Sequence, residues 1–345
     1  MLLATLVIRT LAQDISRDLP YVSLNIPRAP VVARTGGGYL LQYELYVTNW
    51  YDKNITIQAV EILAGDDLVK TVEGEALKQR FDPNSDQTGL VGPLQTTTIF
   101  MSGVANDVPP TIDHRVRFRV AGEPEDTVVR YRGTPVKKNA LRIASPLRGD
   151  SWVAFEGPGG VNHHTAGVLQ FEGRNIVPQR FAIDFVQLFE DGKMFHGGSE
   201  DVHSYRCYGA EVLAVADARV VAVRDDVPDN PGQAKSNAVP VTLANLGGNR
   251  VVLDLGGTYA TYFHLQPHSV KVKVGDRVRT GDILALVGNS MSPSPHLHFQ
   301  LSEGPVAMIS GGVPYVFDSL IRDGEKVTGQ LPMDRWTIAF ERDPY

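Results

Sequence analysis

The chain is a succession of short alternating segments, and that pattern restricts its fold more than any other feature. "YLLQYELYVTNW", "ITIQAVEIL", "TTTIFMSGV", "HRVRFRVAG" and "DTVVRYRG" follow one another between residues 39 and 133. Each places apolar side chains at alternate positions, the period of a half-buried strand. Turn-rich pieces such as "FDPNSDQTG" and "NDVPPTID" separate them, and the 33 Gly and 22 Pro of the sequence supply such turns throughout. No long run shows the 3.6-residue spacing of an amphipathic helix. Strands recurring at this interval predict an all-β chain in which residues 20–138 form an Ig-like β-sandwich. His114 is the only histidine of that stretch and reads as a structural strand residue.

A Pro-, Gly- and Lys/Arg-rich piece, "TPVKKNALRIASPLRGDSW", marks a boundary. Beyond it "RFAIDFVQLF", "EVLAVADARVVAV", "NRVVLDLG", "TYATYFHL", "DILALVG" and "HLHFQL" again alternate, joined by Gly-rich turns. They predict a second β domain of antiparallel, barrel-like sheet over residues 145–325, followed by a tail over 326–345. Two domains suit a chain of 345 residues. Eight of the nine histidines lie after residue 160, so potential ligands are concentrated in this second part.

The bulk properties remove several functions. A net charge of −6 leaves no basic surplus to neutralise phosphates, which argues against nucleic acid as a partner. Cys207 is the only cysteine, so no disulfide can form within the chain and no Cys-rich zinc ribbon can be built. The thiol has no evident base beside it and reads as buried rather than nucleophilic. No stretch reaches the roughly 20 apolar residues of a membrane-spanning helix. Residues 1–19 begin "MLLATLVIRTLAQD", with a small-residue cleavage point after Ala12 but no basic leader, and with Arg9 inside the apolar run. They read as the remnant of an export signal or as a first strand.

The chemistry gathers around "SPSPHLHFQL". In an extended chain His296 and His298 project from one face, while Leu297 and Phe299 project from the other. Alone, such a pair is an ordinary polar strand face. Asp184 lies between Ile183 and Phe185, where a carboxylate is costly unless paired with a cation. Arg180, four residues earlier, could serve as a salt-bridge partner. An intrastrand Asp together with His-x-His favours instead a catalytic metal held by three N/O ligands, with one open position for water.

These residues resemble a known pattern. "YGAEVLAVADARVVAV", "YFHL", "VKVGDRVRTGDILALVGNS" and "SPHLHFQL" are similar, in order and spacing, to the lysostaphin- or LytM-type zinc metallopeptidases. That family hydrolyses peptide cross-links or stem peptides of bacterial peptidoglycan. The resemblance covers about residues 145–305. It implies that Asp184 and His298 are Zn2+ ligands, and that His264 and His296 are the paired catalytic histidines acting on the water and on the tetrahedral intermediate. The family's first histidine ligand stands four residues before the aspartate, and here that position is Arg180. Divergent members carry an HH or HR pair ahead of "QRFAID", which assigns the ligand to His164. A strand, a turn at "FEGRN" and a returning strand would bring His164 beside Asp184, with His163 pointing away.

Between "AIDF" and "YGAEV" the family has a short turn, whereas this chain carries "VQLFEDGKMFHGGSEDVHSYRC". His196 and His203 in that stretch are alternative ligands or solvated rim residues, and His268 is a loop residue. The leading expectation is a secreted or envelope zinc endopeptidase acting on peptidoglycan peptides. The second is a catalytically silent LytM-like domain that binds cell wall or regulates other hydrolases, favoured if Arg180 fills the metal pocket.

Overall fold

The computed structural model describes residues 21–82, 87–138, 140–242 and 244–341. The N-terminal segment that could be an export signal lies outside them. The described residues are nearly all β, as the alternation predicts, with helix confined to short turns such as Gly74–Lys78 and His163–Ala166. They divide into two compact units. The first takes in the described residues up to Pro30 with 43–101 and 109–136; the second takes in 31–42, 102–108 and 137 onward.

In the first unit the strand Ile55–Ala64 pairs with Asp67–Glu73, Leu90–Val91 and Thr111–Val120. A further strand, Asp126–Pro135, continues that sheet. The Tyr43 end of the strand Gly38–Asn49 belongs to a second sheet. The inward positions of Thr111–Val120 are Ile112, His114, Val116, Phe118 and Val120, all buried, as a strand with one dry face requires. His114 is wholly buried and lies 2.7 Å from the Tyr43 hydroxyl of the other sheet, so it is a core residue of this unit.

The second unit is organised on a twelve-stranded sheet. Its centre runs through adjacent antiparallel strands Gly149–Phe155, Ile183–Gln187, Leu297–Ser302, Tyr259–Leu265, Asn249–Asp254 and Ala218–Arg224. One pair departs from the antiparallel expectation: Leu141–Ile143 runs parallel to Tyr315–Arg322. Glu325–Gln330 and Thr337–Phe340 are also strands of this sheet.

Leu297–Ser302 is buried at all six positions. Leu297, Phe299 and Leu301 enter the apolar core, where Phe299 meets Tyr262 and Tyr315 at ring separations of 5.2 and 5.4 Å. Burying a side chain of that size stabilises the unit by about 2–3 kcal/mol before any gain from ring geometry. The opposite face carries His298, Gln300 and Ser302, so a polar stripe is buried back-to-back with the core. Such a stripe persists only if every polar atom finds a partner.

Candidate metal centre

Three neighbouring strands place the centre of the site. Asp184 is directly opposite His298, and His298 is directly opposite Phe263. Cross-strand partners share a face, so the carboxylate and the imidazole meet by register alone. His298 Nδ1 lies 2.8 Å from Asp184 Oδ1, and His296 Nε2 lies 3.3 Å from the same oxygen.

His164 arrives differently from the expectation. The hairpin Leu169–Phe171 and Arg174–Ile176 does form around Glu172 and Gly173. His164, however, sits before it, on the helical turn His163–Ala166. Asn162 caps this turn: its side chain accepts from Thr165 N at 3.0 Å, and Thr165 Oγ1 accepts from Asn162 N at 2.9 Å. A loop is favoured over a continuing strand because "PGGVN" supplies two glycines and a capping asparagine. Gln42, from the 31–42 segment of this unit, accepts from Gly159 N at 2.9 Å and so ties the loop down. His164 Nε2 ends 3.7 Å from Asp184 Oδ2, with the ring 1% exposed.

His264 depends on a bulge. By alternation it would share the core face of Tyr262. The pairing shifts between Asn249↔Leu265 and Val251↔Tyr262, so two residues, Phe263 and His264, stand opposite the single residue Arg250. His264 takes φ +61°, a left-handed conformation rare for a non-glycine residue. The bulge turns its ring to the site, 4.8 Å from the His296 ring and 6.0 Å from that of His298.

Each ring is oriented by an oxygen acceptor behind it. His164 Nδ1 is 3.0 Å from Glu156 O, His264 Nδ1 is 2.8 Å from Ser290 O, and His296 Nδ1 is 2.8 Å from Ser294 O. His298 Nε2 is 2.9 Å from Gln300 Oε1, while the Gln300 amide donates to Pro178 O at 3.1 Å, which fixes its orientation. A neutral imidazole has one N–H, and in each ring that N–H donates backward. The other nitrogen therefore faces Asp184 or its neighbours as a lone pair. Four lone pairs and a carboxylate converge in a buried space, an arrangement stable only with a cation or an added proton among them.

The electrostatics agree with that accounting. Burial pushes His164 down to about 3, against the pull of Asp184. Burial, together with His296 and His298, likewise holds His264 well below the usual histidine range. Burial alone would raise Asp184, but the histidines around it hold its carboxyl well below the usual range, ionised. His296 is opposed by burial and raised by Asp184, which makes it the ring most able to carry a proton.

The ligand atoms of His164, Asp184 and His298 all lie within 4.8 Å of one another, as do those of His264, His296 and His298. Two imidazole nitrogens and one carboxylate oxygen match the donor set of a catalytic metal site, and each imidazole has the outer hydrogen bond such ligands need. The residues therefore fit a divalent metal at His164, Asp184 and His298. A third group, Glu156, His163 and His164, lies on its rim.

Of the alternative histidines, His163 stands on the rim beside His164, at a ring separation of 4.3 Å, and His196 and His203 have partners of their own. His163 is exposed and paired with the Glu156 carboxylate. His196 stacks on Phe189 at 3.9 Å and pairs with Asp191, and His203 packs edge-on against Tyr208. Cys207 is buried, its thiol pushed up to about 12 by burial. The sequence reading missed Gln300 and Glu156. Gln300 continues the 296/298 face at a period of two and was available to the same argument; Glu156 has no local signal.

The geometry now meets its relatives. Residues 201–308 match the family model described as Peptidase family M23. That is the family of the resemblance. A 61-residue stretch is 46% identical to "Endolysin 2638A" of Staphylococcus phage 2638A, covering 16% of this chain and 13% of that protein. The chain thus spans about an eighth of that curated relative's length. Among solved structures, the catalytic domain of the prophage-encoded M23 protein EnpA from Enterococcus faecalis is 19% identical, covering 51% of this chain and 93% of that one, with a TM-score of 0.27. The catalytic domain of the antimicrobial peptidase lysostaphin from Staphylococcus simulans is 19% identical over 50% of this chain and 88% of that one, with a TM-score of 0.24. Csd3 of Helicobacter pylori is 13% identical over 82% and 73%, with a TM-score of 0.27.

Proposed function

We propose that this chain is a zinc-dependent metalloendopeptidase that hydrolyses peptide bonds of bacterial peptidoglycan. The observation that carries the reading is the all-acceptor cluster: His164 Nε2, Asp184 and His298 Nδ1 converge with no proton donor of their own among neutral rings. M23 peptidases are zinc-dependent, and the matched endolysin fits a wall-lytic role. His164, Asp184 and His298 would hold the zinc, which would supply Lewis acidity and lower the pKa of water at the site toward roughly 7.

The chain's own residues divide the remaining work. His264, neutral, with its Nδ1 proton committed to Ser290 O, presents Nε2 to accept the proton of the attacking water. His296, its Nδ1 held by Ser294 O, presents Nε2 beside Asp184 and, when protonated there, donates to the oxyanion that develops on the scissile carbonyl. Gln300 and the Glu156 carbonyl keep the ligand rings from turning. In this reading the second unit, built on the twelve-stranded sheet, is the catalytic part, and the first unit is a β module beside it in the sequence. Such an enzyme acts outside the cytoplasm, in the envelope or secreted. No helix among the described residues is long and apolar enough to cross a membrane.

Mass spectrometry of purified peptidoglycan incubated with the protein, with and without a chelator, tests the proposal. Released muropeptides bearing a new amine end, abolished by the chelator, are the expected result. Intact peptidoglycan beside a zinc-loaded protein overturns the substrate. A protein that takes up no zinc overturns the enzyme and leaves the silent wall-binding module.

A further inference from the structure

We infer that Ser290 is a positioning residue for His264, setting through two separate bonds both the direction of the ring and the nitrogen that carries its proton. The inference rests on the reading of His264 as the residue that takes the proton. Ser290 is wholly buried. Its carbonyl accepts from His264 Nδ1 at 2.8 Å. Its hydroxyl accepts from Asn249 N and donates to Leu265 O, both at 2.9 Å.

Those two hydroxyl partners are significant because Asn249 and Leu265 are the last regular pair before the bulge that contains His264. A bulge leaves the residues beside it short of ladder bonds. The Ser290 side chain bridges that pair, so together with the bonds His264 N→Gly247 O and Gly288 N→His264 O, both 3.1 Å, its hydroxyl braces the bulge while its carbonyl holds the ring. Gly248 makes the approach possible: a Cβ there would lie 2.2 Å from Ser290 O and 2.5 Å from Ser290 Oγ. Ser290 is in turn fixed from behind, since Asn289 N donates to Asp229 Oδ1 at 2.7 Å and the Asn289 amide donates to Asn230 O at 2.8 Å. The Ser290 hydroxyl bonds neither His164, Asp184 nor His298, so its removal reaches the site through the bulge that carries His264.

Ser290→Ala keeps the carbonyl and removes the hydroxyl, leaving Asn249 N without its acceptor. The expected outcome is full zinc content, a KM within twofold of the parent and a kcat lower by about tenfold, the scale of one net hydrogen bond. The side-chain nitrogens of His264, read by long-range 15N–1H NMR, should keep the Nδ1–H tautomer, because the Ser290 carbonyl remains, while the ring gains motion that the parent lacks. Ser292→Ala is the control, because Ser292 Oγ lies 3.2 Å from His296 Nδ1 and leaves His264 untouched. A His264 ring as rigid in Ser290→Ala as in the parent, by relaxation of its side-chain nitrogens, overturns the inference, whatever happens to rate. Should the variant fail to fold, the zinc-loaded parent still decides: a His264 ring found as Nε2–H, or averaging rapidly, overturns it. A parent that shows the fixed tautomer but cleaves no peptidoglycan defeats the proposed activity and not this geometry.

Discussion

His298 and Asp184 face each other across adjacent antiparallel strands with Nδ1 and Oδ1 2.8 Å apart, and neither atom has a proton to give when the ring is neutral. The pairing is a consequence of register, so it exists before any metal arrives. Asp184→Ala removes the charge that makes the cluster attractive to a cation, and His298→Ala removes a donor. Both variants should lose zinc and activity together. Atomic absorption on dialysed protein measures the first; a variant retaining stoichiometric zinc would place the metal elsewhere.

Gln300 supports the site without belonging to it. Its Oε1 accepts from His298 Nε2, and its amide is committed to Pro178 O. Gln300→Leu preserves the volume but frees the ring, and outer partners of this kind are worth about 10–100-fold in metal affinity. Competition against a calibrated zinc chelator should show that loss, with the fold intact by circular dichroism.

The two adjacent histidines of "NHH" should behave oppositely. His164 is buried against Asp184, whereas His163 is exposed and paired with Glu156. His164→Ala should release zinc as the other ligand variants do; His163→Ala should keep it. Zinc retained in His164→Ala and lost in His163→Ala would transfer the ligand to the rim group with Glu156.

The all-β class and the strand carrying His298 were legible because alternation at a period of two survives any tertiary arrangement, whereas His296 sits one residue ahead of that strand, Leu297–Ser302. The same rule located Asp184 in a strand and could have reached Gln300. His264 was not legible by pattern, since alternation sends it to the core face of Tyr262 and only a bulge reverses that. The path of His164 was misread for a related reason. A four-residue capped turn has no periodicity, so "PGGVNHHTAG" gave no sign that the histidine would arrive on a helical turn instead of a hairpin strand. Glu156 enters by tertiary proximity alone, through a residue with φ +51° that no propensity favours.

His264→Ala should separate binding from chemistry. The ring is not among the three donors assigned to the metal, so zinc content should match the parent. Loss of a positioned general base costs roughly 10²–10⁴-fold in rate. An unchanged kcat with muropeptide substrate would remove His264 from the reaction and leave His296 to act alone.

The first unit should carry an acid sensitivity independent of the metal. His114 is wholly buried, its Nδ1 has no hydrogen-bond partner, and burial lowers it to about 4 despite the neighbouring Asp113. Unfolded, the same ring titrates near 6.5. Between those values the unfolded chain binds the proton and the folded chain does not, so stability rises with pH across this window. It is fully present above about pH 6.5 and falls as the pH drops toward about 4, by about 3 kcal/mol over the whole span. His114→Gln removes the titration and keeps an acceptor for the Tyr43 hydroxyl. Urea denaturation at pH 7 and pH 4.5 should show a large difference for the parent and a smaller one for the variant. Equal differences in the two proteins would mean that the acid response comes from other groups.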